Sequence, residues 1–145
     1  MRFAVRTSVR PAPEEVYPVF GDARFVESVA PRLMRLEVVK IGLDVGDAIE
    51  IRMLRRIRWV SEVVSQERAE DAIWFVDRSA DVKPWPLRRW EHHHGFVRGA
   101  DGGTVIVDAP RFEVRPRVIA PLAYPLLYLS FRLRRGAYRR RFGRA

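Results

Sequence analysis

The chain has 145 residues, with 27 Lys or Arg against 18 Asp or Glu, for a net charge of +9. That length fits one domain over residues 1–145, with a core that needs no staples, and a hydrophobic content of 48% excludes an intrinsically disordered chain. The absence of cysteine excludes disulfides, thiolate metal sites and a cysteine nucleophile, and it favours a cytoplasmic home.

Residues 2–10 alternate, with Phe3, Val5, Thr7 and Val9 on one side and Arg2, Arg6, Ser8 and Arg10 on the other, which predicts a half-buried strand. Pro11 and Pro13 end it. Pro13-Glu14-Glu15-Val16 opens a short helix, with proline and acids in the first turn. A second short helix is expected from Asp22, as N-cap, to Ala30, with Pro31 as its stop. Met34, Leu36 and Val38 then alternate as a strand. Gly42–Asp47 suits a hairpin turn, and Ile49, Ile51 and Met53 form the returning strand. Trp59–Ser65 continues the sheet, Glu67–Asp71 reads as a polar turn, and Ile73–Asp77 is the next strand. Ser79–Pro86 is a loop holding Pro84-Trp85-Pro86. Arg89–Val97 and Thr104–Val114 are the last strands, joined by a tight turn at Ala100-Asp101-Gly102-Gly103. Pro110 inside the final strand predicts an edge or a bulge.

The C-terminal part differs. Leu122, Leu126, Leu129 and Leu133 follow 4-3-4 spacing, the mark of one apolar face of a long helix. Pro121 fits its first turn, and Pro125 is early enough to be tolerated. The apolar stretch Val118–Phe131 is 14 residues long, short of the about 20 that span a bilayer. Met1–Arg6 lacks the apolar run of a signal peptide. Strands grouped together with helices at the ends predict an α+β fold, an antiparallel sheet of about six to seven strands packed on the long C-terminal helix.

The charge is placed unevenly. Residues 1–114 balance 18 basic against 18 acidic side chains. Residues 115–145 hold nine arginines and no acid, so the whole excess belongs to the end of the chain. A neutral body with a basic end is not a uniformly basic nucleic-acid protein.

The order of elements and several motifs resemble the START-related, or SRPBCC, helix-grip superfamily, which includes lipid-transfer domains and polyketide cyclases. One bacterial subgroup carries a Trp-x-His-x-His-x-Phe strand, here Trp90-Glu91-His92-His93-His94-Gly95-Phe96. Arg58-Trp59, Phe75-Val76-Asp77, Gly103-Thr104-Val105-Ile106-Val107-Asp108 and Phe131-Arg132 agree with the same subgroup in order. The sequence departs from it at Ser79, where the subgroup tends to have Gln, at Lys83-Pro84 in place of Gly-Pro, and at the additional His93. The resemblance covers nearly the whole chain. It implies a curved sheet wrapped on the last helix, two short helices after the first strand, and a cavity between sheet and helix.

A period of two places Trp90, His92, His94 and Phe96 on one face of their strand, with Glu91, His93 and Gly95 on the other. The same parity puts Phe75 with Asp77, and Asp108 with Phe112. Two His and two Asp on apolar faces need one another, because a buried carboxylate needs a partner. The plainer expectation is a His–Asp hydrogen-bond network; the sharper one is an acid–base pair drawn from His92, His94, Asp77 and Asp108. His92 and His94 with one Asp also have the spacing of a metal site, but nothing else about them demands one, and no metal or other cofactor is expected. Three serines without a Gly-x-Ser-x-Gly elbow make no triad, and no phosphate-binding glycine loop is present.

The expected function is binding of a small hydrophobic molecule (a lipid, a polyketide-like compound or an aromatic). Trp59, Phe75, Trp90, Phe96, Phe112, Leu126 and Leu129, together with Phe3 and Ile51, supply apolar wall. Asp77, His92, His94 and Asp108 orient a polar group. A cyclase- or dehydrase-type enzyme is the alternative. A second alternative is contact with an anionic membrane or nucleic acid through Arg132, Arg135 and Arg139 in the Arg-rich end, 132–145. No obligate protein partner is inferred.

Overall fold

The computed structural model describes residues 1–80 and 83–145. Asp81 and Val82, within the loop expected over Ser79–Pro86, lie outside the described residues. Seven strands form one antiparallel sheet: β1 Val5–Val9, β2 Glu37–Lys40, β3 Ala48–Met53, β4 Ile57–Ala69, β5 Ala72–Ser79, β6 Leu87–Arg98 and β7 Thr104–Val114. Their spatial order is β1-β7-β6-β5-β4-β3-β2. Two short helices follow β1, α1 Pro13–Val16 and α2 Ala23–Val29, and the long helix α3 runs Ala120–Phe142. The fold class is thus α+β, with the helix-grip layout of a curved sheet and a C-terminal helix.

Local chemistry explains most boundaries. The buried–exposed alternation of β1 repeats through all five residues, as its sequence requires. Asp22 caps α2, its Oδ1 accepting from the Phe25 amide at 2.9 Å. Two boundaries differ from the periodicity. Met34 and Leu36 do not begin β2, because Arg32–Met34 forms a 3-10 turn that ends on Arg35 in the left-handed region, at φ 43°. That residue breaks the extended run, and β2 starts at Glu37. The polar residues Glu67 and Arg68 continue β4 instead of turning, since they pair with Trp74 and Ile73 of β5; polarity marks the exposed end of that hairpin.

Pro110 does not sit on an edge strand, for β7 lies between β1 and β6. The regular β1 ladder ends at Val5–Asp108; beyond it lie an Arg2–Arg111 bridge and a Phe3 N–H that donates to the Pro110 carbonyl at 3.4 Å. Proline falls in that lapse, where its missing N–H breaks no regular pairing. On the outer face of β6, Gly95 lies under the indole of Trp74, and a Cβ there would stand 2.5 Å from the ring.

The largest difference concerns α3. Its leucine stripe faces out: Leu122, Leu126, Leu129 and Leu133 are all exposed. The helix turns Phe131, Ala137, Tyr138 and Phe142 inward. Tyr138 and Phe142 join the main core with Tyr17, Phe20, Phe25, Phe75 and Phe96. Phe131 joins a second cluster with Val5, Trp90 and Phe112. Aromatic rings bury more surface than leucine and pack edge to face, as Phe25 does on Phe142 and Phe3 on Phe131, so the aromatic side wins the interior.

Candidate functional site

A cavity of about 170 Å³ lies between the sheet, α2 and α3. Its apolar wall comes from α2 (Phe25, Val29), from β3 (Ile49, Ile51, Met53) and from Trp59, Phe75, Trp90 and Phe131. Its polar groups are Ser61, Asp77, His92, His94, Ser130, Arg134 and Tyr138. Strand parity brings the sheet residues together: β5 and β6 pair with Asp77 opposite His92 and Phe75 opposite His94, and β7 sets Asp108 opposite His94.

The closest polar pairs do not form straight across. The side chains lean to diagonal neighbours, which a sheet keeps within reach of long side chains. His94 Nε2 lies 2.8 Å from Asp77 Oδ2, and His92 Nε2 lies 3.2 Å from Asp108 Oδ1. The two imidazoles sit side by side, with centroids 3.6 Å apart, and His94 stacks on Phe75 at 4.1 Å. Asp108 is held from the far side, because the Tyr138 hydroxyl donates to its Oδ2 at 2.9 Å. The Arg134 guanidinium covers the Phe131 ring at 3.8 Å and reaches within 4.0 Å of Asp108.

These contacts fix the charges. Burial pushes the Asp77 carboxyl up, but His94 and His92 pull it back below its ordinary value. His92 is pushed down to about 4, by burial first and by His94 next, against the opposing pull of Asp108. Burial also acts to raise Asp108, and His92 and Arg134 outweigh it, bringing the carboxyl to about 2. Tyr138 is raised by burial and by the Asp108 charge. At neutral pH the site therefore holds two carboxylates, a neutral His92, a neutral Tyr138 and the guanidinium of Arg134.

Asp77, His92 and His94 offer three ligating atoms within 4.8 Å of one another. Tetrahedral zinc with bonds near 2.05 Å sets its ligand atoms about 3.3 Å apart. Here one pair stands at 2.8 Å and His92 Nδ1 stands 4.0 Å from Asp77. The first is a hydrogen-bond distance, so the side chains as placed form a polar network.

Of the residues singled out from sequence, Trp59, Phe75, Asp77, Trp90, His92 and His94 line the cavity. Asp108 stands behind His92. Phe96 is buried in the main core beside Tyr17 and Phe20, and Phe112 packs with Phe3 and Trp90; both are core and not wall. Leu126 and Leu129 face away from the cavity altogether. Sequence reasoning missed Ser61, Ser130, Arg134 and Tyr138. A signal for the last two was present: Leu127, Phe131, Arg134 and Tyr138 follow the same 4-3-4 spacing as the exposed leucines.

No known family model matches the chain, and no curated protein is similar to it by sequence. Solved structures do match. A hypothetical protein from Helicobacter pylori superposes with a TM-score of 0.74 at 10% identity, over 95% of this chain and 85% of that one. A protein from Arthrobacter aurescens gives 0.69 at 16% identity, over 92% and 80%. Norcoclaurine synthase from Thalictrum flavum, in complex with dopamine and hydroxybenzaldehyde, gives 0.59 at 13% identity, over 92% and 84%. Likeness at these identities carries the fold, and that fold is the helix-grip arrangement.

Proposed function

We propose that the chain binds a small, mainly apolar molecule in the cavity between the sheet and α3, with one polar group turned toward Asp77, His94 and Arg134. The carrying observation is the make-up of the wall: a mainly apolar lining into which Asp77, His92, His94, Arg134 and Tyr138 project as a small set of ionised and neutral polar groups. Such a set in an apolar cleft is the general pattern of ligand sites. Size narrows the class. Drug-sized ligands occupy about 300–1,000 Å³, whereas a cavity of about 150 Å³ takes benzene. At about 170 Å³ the cavity suits a one-ring compound better than a lipid tail or a polyketide chain. Dopamine and hydroxybenzaldehyde, held by the similarly folded norcoclaurine synthase, are one-ring compounds as well. The Trp90, His92 and His94 face supports placing the chain with the bacterial Trp-x-His-x-His-x-Phe subgroup.

Acid–base catalysis is a second reading, favoured by the short His94–Asp77 contact on the cavity wall. His92, at about 4, is too weak a base to lead at neutral pH, so His94 would carry that role, oriented by Asp77.

The test is native mass spectrometry of the untagged protein as purified, followed by thermal shifts with one-ring phenols, amines and carboxylates. A ligand at 100 times its Kd stabilises by about 2.7 kcal/mol, which raises Tm by about 8 °C in a chain of this size. One class should produce this shift, and Asp77→Asn should weaken it at least tenfold. A Tm unmoved by every class, with a clean apo mass, would overturn the proposal.

A further inference from the structure

We propose that the outer face of α3 docks on an anionic lipid membrane. Val118, Leu122, Leu126, Leu129 and Leu133 are 82, 64, 59, 53 and 56% exposed. Val118 lies in the 3-10 turn before α3, and the spacing of the four leucines aligns them on one side of the helix, opposite the stripe of Leu127, Phe131, Arg134 and Tyr138 that faces the interior. From Leu122 to Leu133 the stripe runs about 17 Å at 1.5 Å per residue. Scattered exposed leucines are ordinary, but a contiguous apolar line on a monomer marks an interaction surface.

Charge identifies the partner. Residues 115–145 carry nine arginines and no acid. Arg132 borders the stripe, and Arg140, seven residues after Leu133, continues its line. Among the described residues these two form no ion pair. A second copy would answer the leucines and set arginine against arginine. A nucleic acid would answer the arginines and leave the leucines in water. An anionic bilayer answers both, with leucines in the acyl boundary and guanidiniums on the phosphates. Among the described residues no helix is long and apolar enough to cross a membrane. The inference rests on the outer face alone and is independent of what the cavity holds.

The test is flotation of the full chain with vesicles of phosphatidylcholine, alone or mixed with one third phosphatidylglycerol, at low and high salt. The mixed vesicles should bind the chain at least tenfold more tightly, and salt should weaken that binding. Leu126→Gln with Leu129→Gln should lower the partition tenfold or more with Tm unchanged, as expected of exposed positions. Arg132→Gln and Arg140→Gln should each cost about fivefold. Absence of vesicle binding would overturn the proposal, as would binding that ignores the leucine pair. A solution dimer dissolved by the leucine pair would assign the face to a second copy. Duplex DNA binding that vesicles do not compete would assign the arginines to nucleic acid. Either result would likewise overturn membrane docking.

Discussion

Lowering the pH from 7 to 4 should destabilise the protein by about 3 kcal/mol through His92 alone. Its value falls from 6.5 to about 4 on folding, and each unit is worth about 1.36 kcal/mol. The sign follows from proton uptake. Between those two values the unfolded chain holds a proton at this position and the folded chain does not, so acid favours unfolding. The contribution is complete above pH 6.5 and is lost as the pH falls toward 4. Urea denaturation followed by circular dichroism, at half-unit steps, measures it directly. His92→Gln removes the titration while keeping a polar side chain beside Asp108, so the variant should be less stable at pH 7 yet flatter between pH 6.5 and 4.5. Asp108, at about 2, adds its loss only below the ordinary aspartate range, so the two effects separate on the pH axis. A variant slope equal to that of the parent would refute the burial of a neutral His92.

Two further variants test the packing. Tyr138→Phe removes the hydroxyl donor to the buried Asp108 carboxylate and should cost about 1.5–3 kcal/mol by denaturant titration, the range for hydrogen bonds to charged groups. Gly95→Ala drives a methyl into the Trp74 indole and should cost about 1–3 kcal/mol; in a Trp74→Val background most of that cost should vanish.

The sheet was legible because period-two alternation carries its own register information. Trp90, His92 and His94 share a face in sequence and share the cavity in space. What the alternation lacks is the lean of each side chain, so the pairing of His94 with Asp77 and of His92 with Asp108 follows only from the assembled register. Helix α3 was legible in length and not in orientation. Two stripes with the same spacing run along it, and hydropathy selects the leucines. The interior takes the stripe containing Arg134, since an arginine can lay its guanidinium on Phe131 beside a buried carboxylate. Single-residue hydropathy cannot register a charge that another element will answer, and Asp108 lies in β7, outside the helix.

The strand order has a consequence for synthesis on the ribosome. Strands β2 to β7 form a meander, each able to pair with its predecessor as it emerges. Strand β1 pairs with β7, Val5 opposite Asp108 and Val9 opposite Thr104, and α3, which also contacts β1, is made after both. At 5–20 residues per second the first strand therefore waits about 5–20 s for its partner. Throughout that interval Phe3, Val5 and Val9 stand in water beside unpaired backbone groups, the condition that invites chaperones or wrong strand pairing. Strand β1, translated ahead of the other six, is among the last to be placed, because its contacts with β7 come only after a loop of about 100 residues has closed.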